Sequence, residues 1–149
     1  GIRVPFIARW PGKVPANTIN DQVSVQYDLL ATLAELTHTS VKETDGVSFL
    51  GGLLNKTGKS ETRDFLYFEY PENGGQIAVR IGNWKGVKKN IKKNLAAPWE
   101  LYDLQADPFE KINLAEKNPA ILNKMNSIVE TQHQHSHLTE WEFLHPKKR

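Results

Sequence analysis

"FLYFEYPENGGQIAVRIGNWKGVKK", residues 65–89, is the stretch whose reading decides the fold. Its first six residues are rich in aromatics and strand-like. "PENGG" (71–75) follows as a turn, with Asn73 and Gly74 suited to the positive φ that short hairpin loops require. In "QIAVRIG" (76–82), Ile77, Val79 and Ile81 share one face of a strand while Ala78 and Arg80 share the other. Gly82 and Asn83 fit a two-residue reversal into "WKGVKK" (84–89). After a lysine-rich loop, "WELYDL" (99–104) supplies a fourth strand. The pattern predicts an antiparallel meander of four strands.

Towards the C-terminus, "DPFEKINLA" (107–115) reads as loop. Asn118 is placed to cap a last helix that has Pro119 at its first position. Ile121, Leu122, Met125, Ile128 and Val129 form its apolar stripe, suited to lie across one face of the sheet. Residues 133–149 read as a polar, His-rich tail. Towards the N-terminus, Leu29, Leu30, Leu33 and Leu36 recur at helical steps and predict a helix over 26–37. Residues 38–63 are polar, Gly-rich and broken by short apolar patches, a long surface connection. Ile2, Val4, Phe6 and Ile7 crowd apolar groups on both faces of residues 2–10, as a covered strand does, although Pro5 there lacks an N–H. The one methionine is Met125, so Gly1 is not expected to be a genetic start. The opening is expected to be a strand severed from its sheet, prone to self-association through its unpaired edges.

A chain of 149 residues is long enough to bury a sizeable core, roughly 70% of its unfolded surface. A formal charge of +2 is too small to argue for nucleic acid. No apolar run approaches the roughly 20 residues of a membrane span, so neither partner is expected. With no cysteine, the chain has no disulfide, thiolate metal site or Cys nucleophile of its own.

Candidate chemistry is sparse. His133, His135, His137 and His145 have spacings that gather imidazoles on one face, yet no carboxylate or Cys completes a recognisable zinc set, and surface polarity is the better reading. No metal ligand is therefore assigned. Lys85, Lys88, Lys89, Lys92 and Lys93 make a basic patch that suits an acidic glycan, or simply a solvated hairpin end. Glu69, Glu72 and Asp103 suggest paired carboxylates only weakly, because their separation is not readable. "GGLLNKTGKS" (51–60) fails as a phosphate loop, since its first glycine position holds Leu53.

"GIRVPFIARWPG", "YDLLATLAEL", "TDGVSFL", "RDFLYFEY", "AVRIGNWKGV" and "WELYDLQADPFEKINLA" follow one another in an order that resembles the end of sulfatases, the arylsulfatase-like members of the alkaline-phosphatase superfamily. The resemblance covers about residues 1–132. It implies an α+β fold: a C-terminal sulfatase subdomain with a four-stranded antiparallel sheet packed with a helix, preceded by a strand and helix of the larger α/β domain. Residues 1–47 are then the end of the large domain, 48–64 a connection, 65–132 the subdomain and 133–149 the tail. It further implies hydrolysis of sulfate esters, of a sulfated carbohydrate or an aryl sulfate, by a formylglycine nucleophile and calcium in a periplasmic or secreted parent. This chain lacks the C/S-x-P-x-R motif and any Asp-rich calcium segment, so no catalytic residue carries over and the piece is expected to be inactive alone. Subdomain loops in the family lean over the cleft, which implies substrate contacts from Glu72, Asn73 and Gln76. The rival expectation is a free-standing, non-catalytic α+β module that holds acidic glycans through the 85–93 lysines.

Overall fold

The computed structural model describes residues 2, 4–55 and 63–145, and it divides into two compact units, Gly1–Arg63 and Asp64–Arg149. In the second unit, β1 (Leu66–Tyr70), β2 (Gln76–Ile81), β3 (Trp84–Lys88) and β4 (Glu100–Asp103) form one antiparallel sheet in the order β1-β2-β3-β4. This is the meander expected from the alternation. Asn73 and Gly74 both take positive φ in the first turn, as expected, and Ile81 pairs with Trp84 across the second.

Register explains the packing. Tyr67 pairs with Val79, Val79 with Gly86 and Gly86 with Leu101, so these residues form one row across the sheet. The helix Pro119–Gln132 covers that face and drives Met125 into the core beside Ile77, Val79, Trp99 and Leu101. The row needs a glycine: a Cβ on Gly86 would lie 2.3 Å from Met125 Sδ and 3.0 Å from the Trp99 ring. Gly86 thus sets how closely the helix approaches the sheet. On β4, Asn113 Oδ1 accepts the Leu101 N–H at 3.0 Å and the Leu114 N–H donates to the Leu101 carbonyl at 2.7 Å. The "INLA" segment therefore satisfies backbone groups along that edge.

Two expectations for this unit need revision. Asn118 stands at the N-terminal boundary of Pro119–Gln132, yet its side chain donates to the Leu114 carbonyl instead of capping the helix. Nor is the chain beyond Gln132 a simple polar tail. Phe143 is buried in the core and Glu142 is buried beside it, so residues 133–145 fold back onto the unit. Residues 146–149 lie outside the described residues.

In the first unit, α1 (Asp28–Thr37) occupies most of the predicted 26–37 helix. A short α2 (Leu50–Leu53) follows, which makes Pro119–Gln132 α3. The surface connection expected over 38–63 is partly internal, because Phe49 and Leu50 are buried. Residues 56–62, with the end of the "GGLLNKTGKS" stretch, lie outside the described residues. The strand expected over 2–10 does not form: the described residues there make no ladder, and Val4, Phe6 and Ile7 are exposed. A strand needs a neighbour to satisfy its backbone, and none of the described residues supplies one.

Polar groups hold α1 in place. The Asp28 carboxylate is buried and accepts the Val25 N–H and the Val47 N–H, both at 2.9 Å, as well as the Arg63 guanidinium. Gly46 allows this approach, since a Cβ there would lie 2.4 Å from the Tyr27 carbonyl oxygen. Thr32 accepts the Phe49 N–H at 3.2 Å one turn further on. Leu29, Leu30 and Leu33, by contrast, are exposed, Leu30 by 55%. The apolar stripe read from the sequence exists, but no described residue covers it.

Candidate functional site

The residues singled out for substrate contact lie on the first hairpin turn of the sheet. Glu72 and Asn73 are exposed, and Gln76 is half-buried at the start of β2, opposite Tyr70. The Tyr70 hydroxyl donates to Glu72 Oε2 at 2.8 Å, which holds that carboxylate over the turn and pushes the phenol pKa up. The turn is firmly seated: the Ile91 N–H donates to the Gly75 carbonyl at 3.0 Å and the Lys92 N–H to the Gly74 carbonyl at 2.9 Å. The three candidates thus share one polar rim seated by backbone hydrogen bonds. A groove of about 110 Å³ elsewhere in this unit is lined by Lys88, Glu130, Asn126 and Ile77, below the several hundred Å³ typical of small-molecule sites.

Two of the five lysines of the basic patch are ion-paired, and two more are engaged by other contacts. Lys85 pairs with Glu110 at 2.6 Å, Lys89 with Glu100 at 2.7 Å, and Lys92 donates to the Glu140 carbonyl at 3.0 Å. Lys88 lies 5.0 Å from the Trp99 ring centre, and its burial lowers its pKa. A polyanion would have to compete with these contacts, which weighs against the glycan-binding module. Glu69, Glu72 and Asp103 do not converge as a pair of catalytic carboxylates either. Glu69 and Glu72 each bind a tyrosine, and the Asp103 carboxylate accepts the Gln105 N–H at 3.0 Å.

The best-organised polar cluster joins the histidines to the carboxylates that no local spacing supplied. Glu69 shares a face of β1 with Tyr67, and the Tyr67 hydroxyl donates to Glu69 Oε1 at 2.6 Å. Burial first, and then this bond, pushes the Tyr67 phenol far above its usual range. His133, just past the end of α3, directs Nδ1 to the same Glu69 oxygen at 2.8 Å. A carboxylate accepts only, so Nδ1 carries the proton. On its other side, Nε2 faces Glu142 Oε1 at 3.3 Å without a hydrogen bond. Glu142 Oε2 lies 3.0 Å from His135 Nδ1 and accepts the Ser136 N–H, while Oε1 accepts the His145 N–H at 2.9 Å. Burial works against ionisation of Glu142, but these bonds and the nearby His133 outweigh it and hold the carboxyl down to about 2. One sequence signal pointed here: Leu122, Met125, Val129 and His133 continue a single helical stripe.

An antiparallel four-stranded sheet packed with a C-terminal helix is the C-terminal architecture expected of sulfatases. The chain belongs to the family described as N-sulphoglucosamine sulphohydrolase, C-terminal, which matches residues 1–137. It is 32% identical over 144 residues to an N-acetylgalactosamine-6-O-sulfatase of Bacteroides thetaiotaomicron, across 88% of this chain and 27% of that protein. To human arylsulfatase A it is 32% identical over 153 residues, across 86% of this chain and 30% of the relative. Among solved structures, a protein from a core genetic locus for metabolism of multiple glycosaminoglycans in Bacteroides thetaiotaomicron superposes with a TM-score of 0.66 at 27% identity, covering 86% of this chain and 28% of that one. The chain therefore spans between a quarter and a third of the length of these relatives. No helix among the described residues is long and apolar enough to cross a membrane.

Proposed function

We propose that these residues form the C-terminal part of a sulfatase that hydrolyses sulfate esters of a sulfated carbohydrate. The family match across residues 1–137 carries this reading. The sugar sulfate is favoured over an aryl sulfate because two relatives are named as N-acetylhexosamine-6-O-sulfatases and a structural neighbour is titled with a sulfated glucosamine as its substrate. On this reading the formylglycine nucleophile, the calcium and the sulfate-contacting groups come from polypeptide outside these residues, and the parent is periplasmic or secreted. The described residues do not fit calcium: their one close group of three ligand-type side chains is His133, His135 and Glu142, and calcium prefers oxygen donors.

Two further features support the assignment. The uncovered leucines of α1 and the apolar side chains of residues 4–10 suit burial against the rest of a larger α/β domain, and a second copy of the chain would cover them by the same chemistry. The seated rim of Glu72, Asn73 and Gln76 offers a carboxylate and amides of the kind that select a sugar's hydroxyls.

The test is sulfate release from sulfated N-acetylhexosamines, measured for the intact gene product and for these 149 residues alone. Only the intact product is expected to turn over, and replacing the Cys or Ser of its C/S-x-P-x-R segment abolishes the activity. Turnover by the 149 residues, or an intact product with no such segment, overturns the proposal.

A further inference from the structure

We propose that His133, His135 and Glu142 form a binding site for a divalent metal ion of the zinc class, which staples the C-terminal segment to the edge of the sheet. The cluster lies within the second unit, and the inference does not depend on the sulfatase reading.

The argument begins with one nitrogen. The His133 side chain is only 5% exposed, and its Nδ1 proton is committed to Glu69. Nε2 is a buried side-chain nitrogen without a hydrogen-bond partner, and it lies 3.3 Å from the equally buried Glu142. A buried nitrogen without a partner beside a buried carboxylate is costly unless a positive charge joins them. A proton on Nε2 would provide that charge, yet no hydrogen bond forms between the two groups. A metal ion accounts for the spacing. With zinc–nitrogen and zinc–oxygen bonds of about 2.0–2.2 Å, adjacent ligands of a tetrahedral ion stand about 3.3–3.5 Å apart.

The remaining groups suit the same ion. One ligand atom from each of His133, His135 and Glu142 lies within 4.8 Å of the others, so closure requires movements of about an ångström. The His135 side chain is 74% exposed, which leaves the cluster open to solvent on that side. A fourth position falls to water or to His145, whose ring centre lies 5.0 Å from that of His133. Imidazole nitrogens with one carboxylate favour zinc over calcium or magnesium. Glu69 completes the arrangement: a carboxylate that holds the distal N–H of a ligating histidine fixes its tautomer and raises its basicity. Here that carboxylate sits on β1, so metal binding ties residues 133–142 to the sheet.

The intact gene product, purified without a histidine tag and stripped with chelator, is titrated with zinc chloride by calorimetry, and its thermal unfolding is followed with and without the metal. Expected are one zinc bound per chain at this site and a rise in Tm. Affinity should fall about 10–100-fold in Glu69→Gln, and at least as far in His135→Ala. Because His135 is exposed, His135→Ala should fold as the wild type does, which its metal-free Tm verifies. Cobalt(II) should give the visible absorption of a tetrahedral site in the wild type and lose it in His135→Ala. Equal zinc affinity in the wild type and His135→Ala, or zinc bound without any rise in Tm, overturns the proposal.

Discussion

The main helices of the two units bury opposite kinds of side chain. In the sheet unit the deepest groups are Val79, Leu101 and Met125, all fully enclosed. In the helical unit the deepest residues of α1 are Asp28 and Thr32, while Leu29, Leu30 and Leu33 are exposed. The sheet unit is therefore held by apolar packing that it completes itself. The helical unit is held by a polar hub, and its apolar surface waits for a cover. A buried charge specifies geometry well but stabilises little on balance, because desolvation offsets most of its attraction. This contrast makes the two units respond to different insults.

Asp28→Ala is the harshest test. It leaves the part-buried Val25 and Val47 N–H groups and the Arg63 guanidinium without their acceptor. Removing one partner of such a pair destabilises by about 3–5 kcal/mol. Amide hydrogen exchange should show α1 losing its protection while β2 and β3 keep theirs. Loss of protection in both units at once would mean that the hub also supports the sheet.

Gly86→Ala reverses the pattern. The added methyl meets Met125 and Trp99 in a core without slack, and overpacking of this kind costs about 1–3 kcal/mol. Exchange should rise in β2, β3 and α3 and stay unchanged in α1. Gly86→Ala combined with Met125→Ala should recover part of the loss if the clash with Sδ is the cause. The core protection of the double variant, measured against Met125→Ala alone, reads this directly.

The sheet was legible because local rules and tertiary packing agree there. Alternation at Ile77, Val79 and Ile81, turn residues at Asn73 and Gly74, and the stripe of α3 all point to one face. The strand expected over 2–10 was misread because apolar composition reports that a segment wants burial, not that a neighbour is present. The candidate metal cluster was hidden for another reason. Its members come from β1, the end of α3 and a segment ten residues further on, and only the return of the chain at Phe143 brings them together. The spacing of His133 and His135 was visible, but a carboxylate 64 residues earlier in sequence has no local signature.

The tyrosines extend the contrast to alkaline pH, with the smallest expected effect. Tyr102 in β4 is pushed up to about 12, first by burial and then by its bond to Glu100, and Tyr67 is raised further still. Tyr27, in the helical unit, is also raised by burial, but the Arg63 guanidinium opposes the shift. A phenol whose folded pKa exceeds its unfolded value of about 10 contributes stability that is fully present below pH 10 and lost as pH climbs through the folded value. The sheet unit should thus weaken from about pH 10 to 12, a window that neutral-pH measurements do not touch. Phenolate absorbance should develop in two stages, with Tyr70 and Tyr27 preceding Tyr102 and Tyr67, whose ionisation coincides with loss of the sheet's circular dichroism. Tyr102→Phe removes one of these linkages but also its bond to Glu100. The variant should start slightly less stable at pH 8 and lose less between pH 10 and 12 than the wild type. Parallel losses in the two proteins would show that the lysines, which shed charge in the same window, govern alkaline unfolding instead.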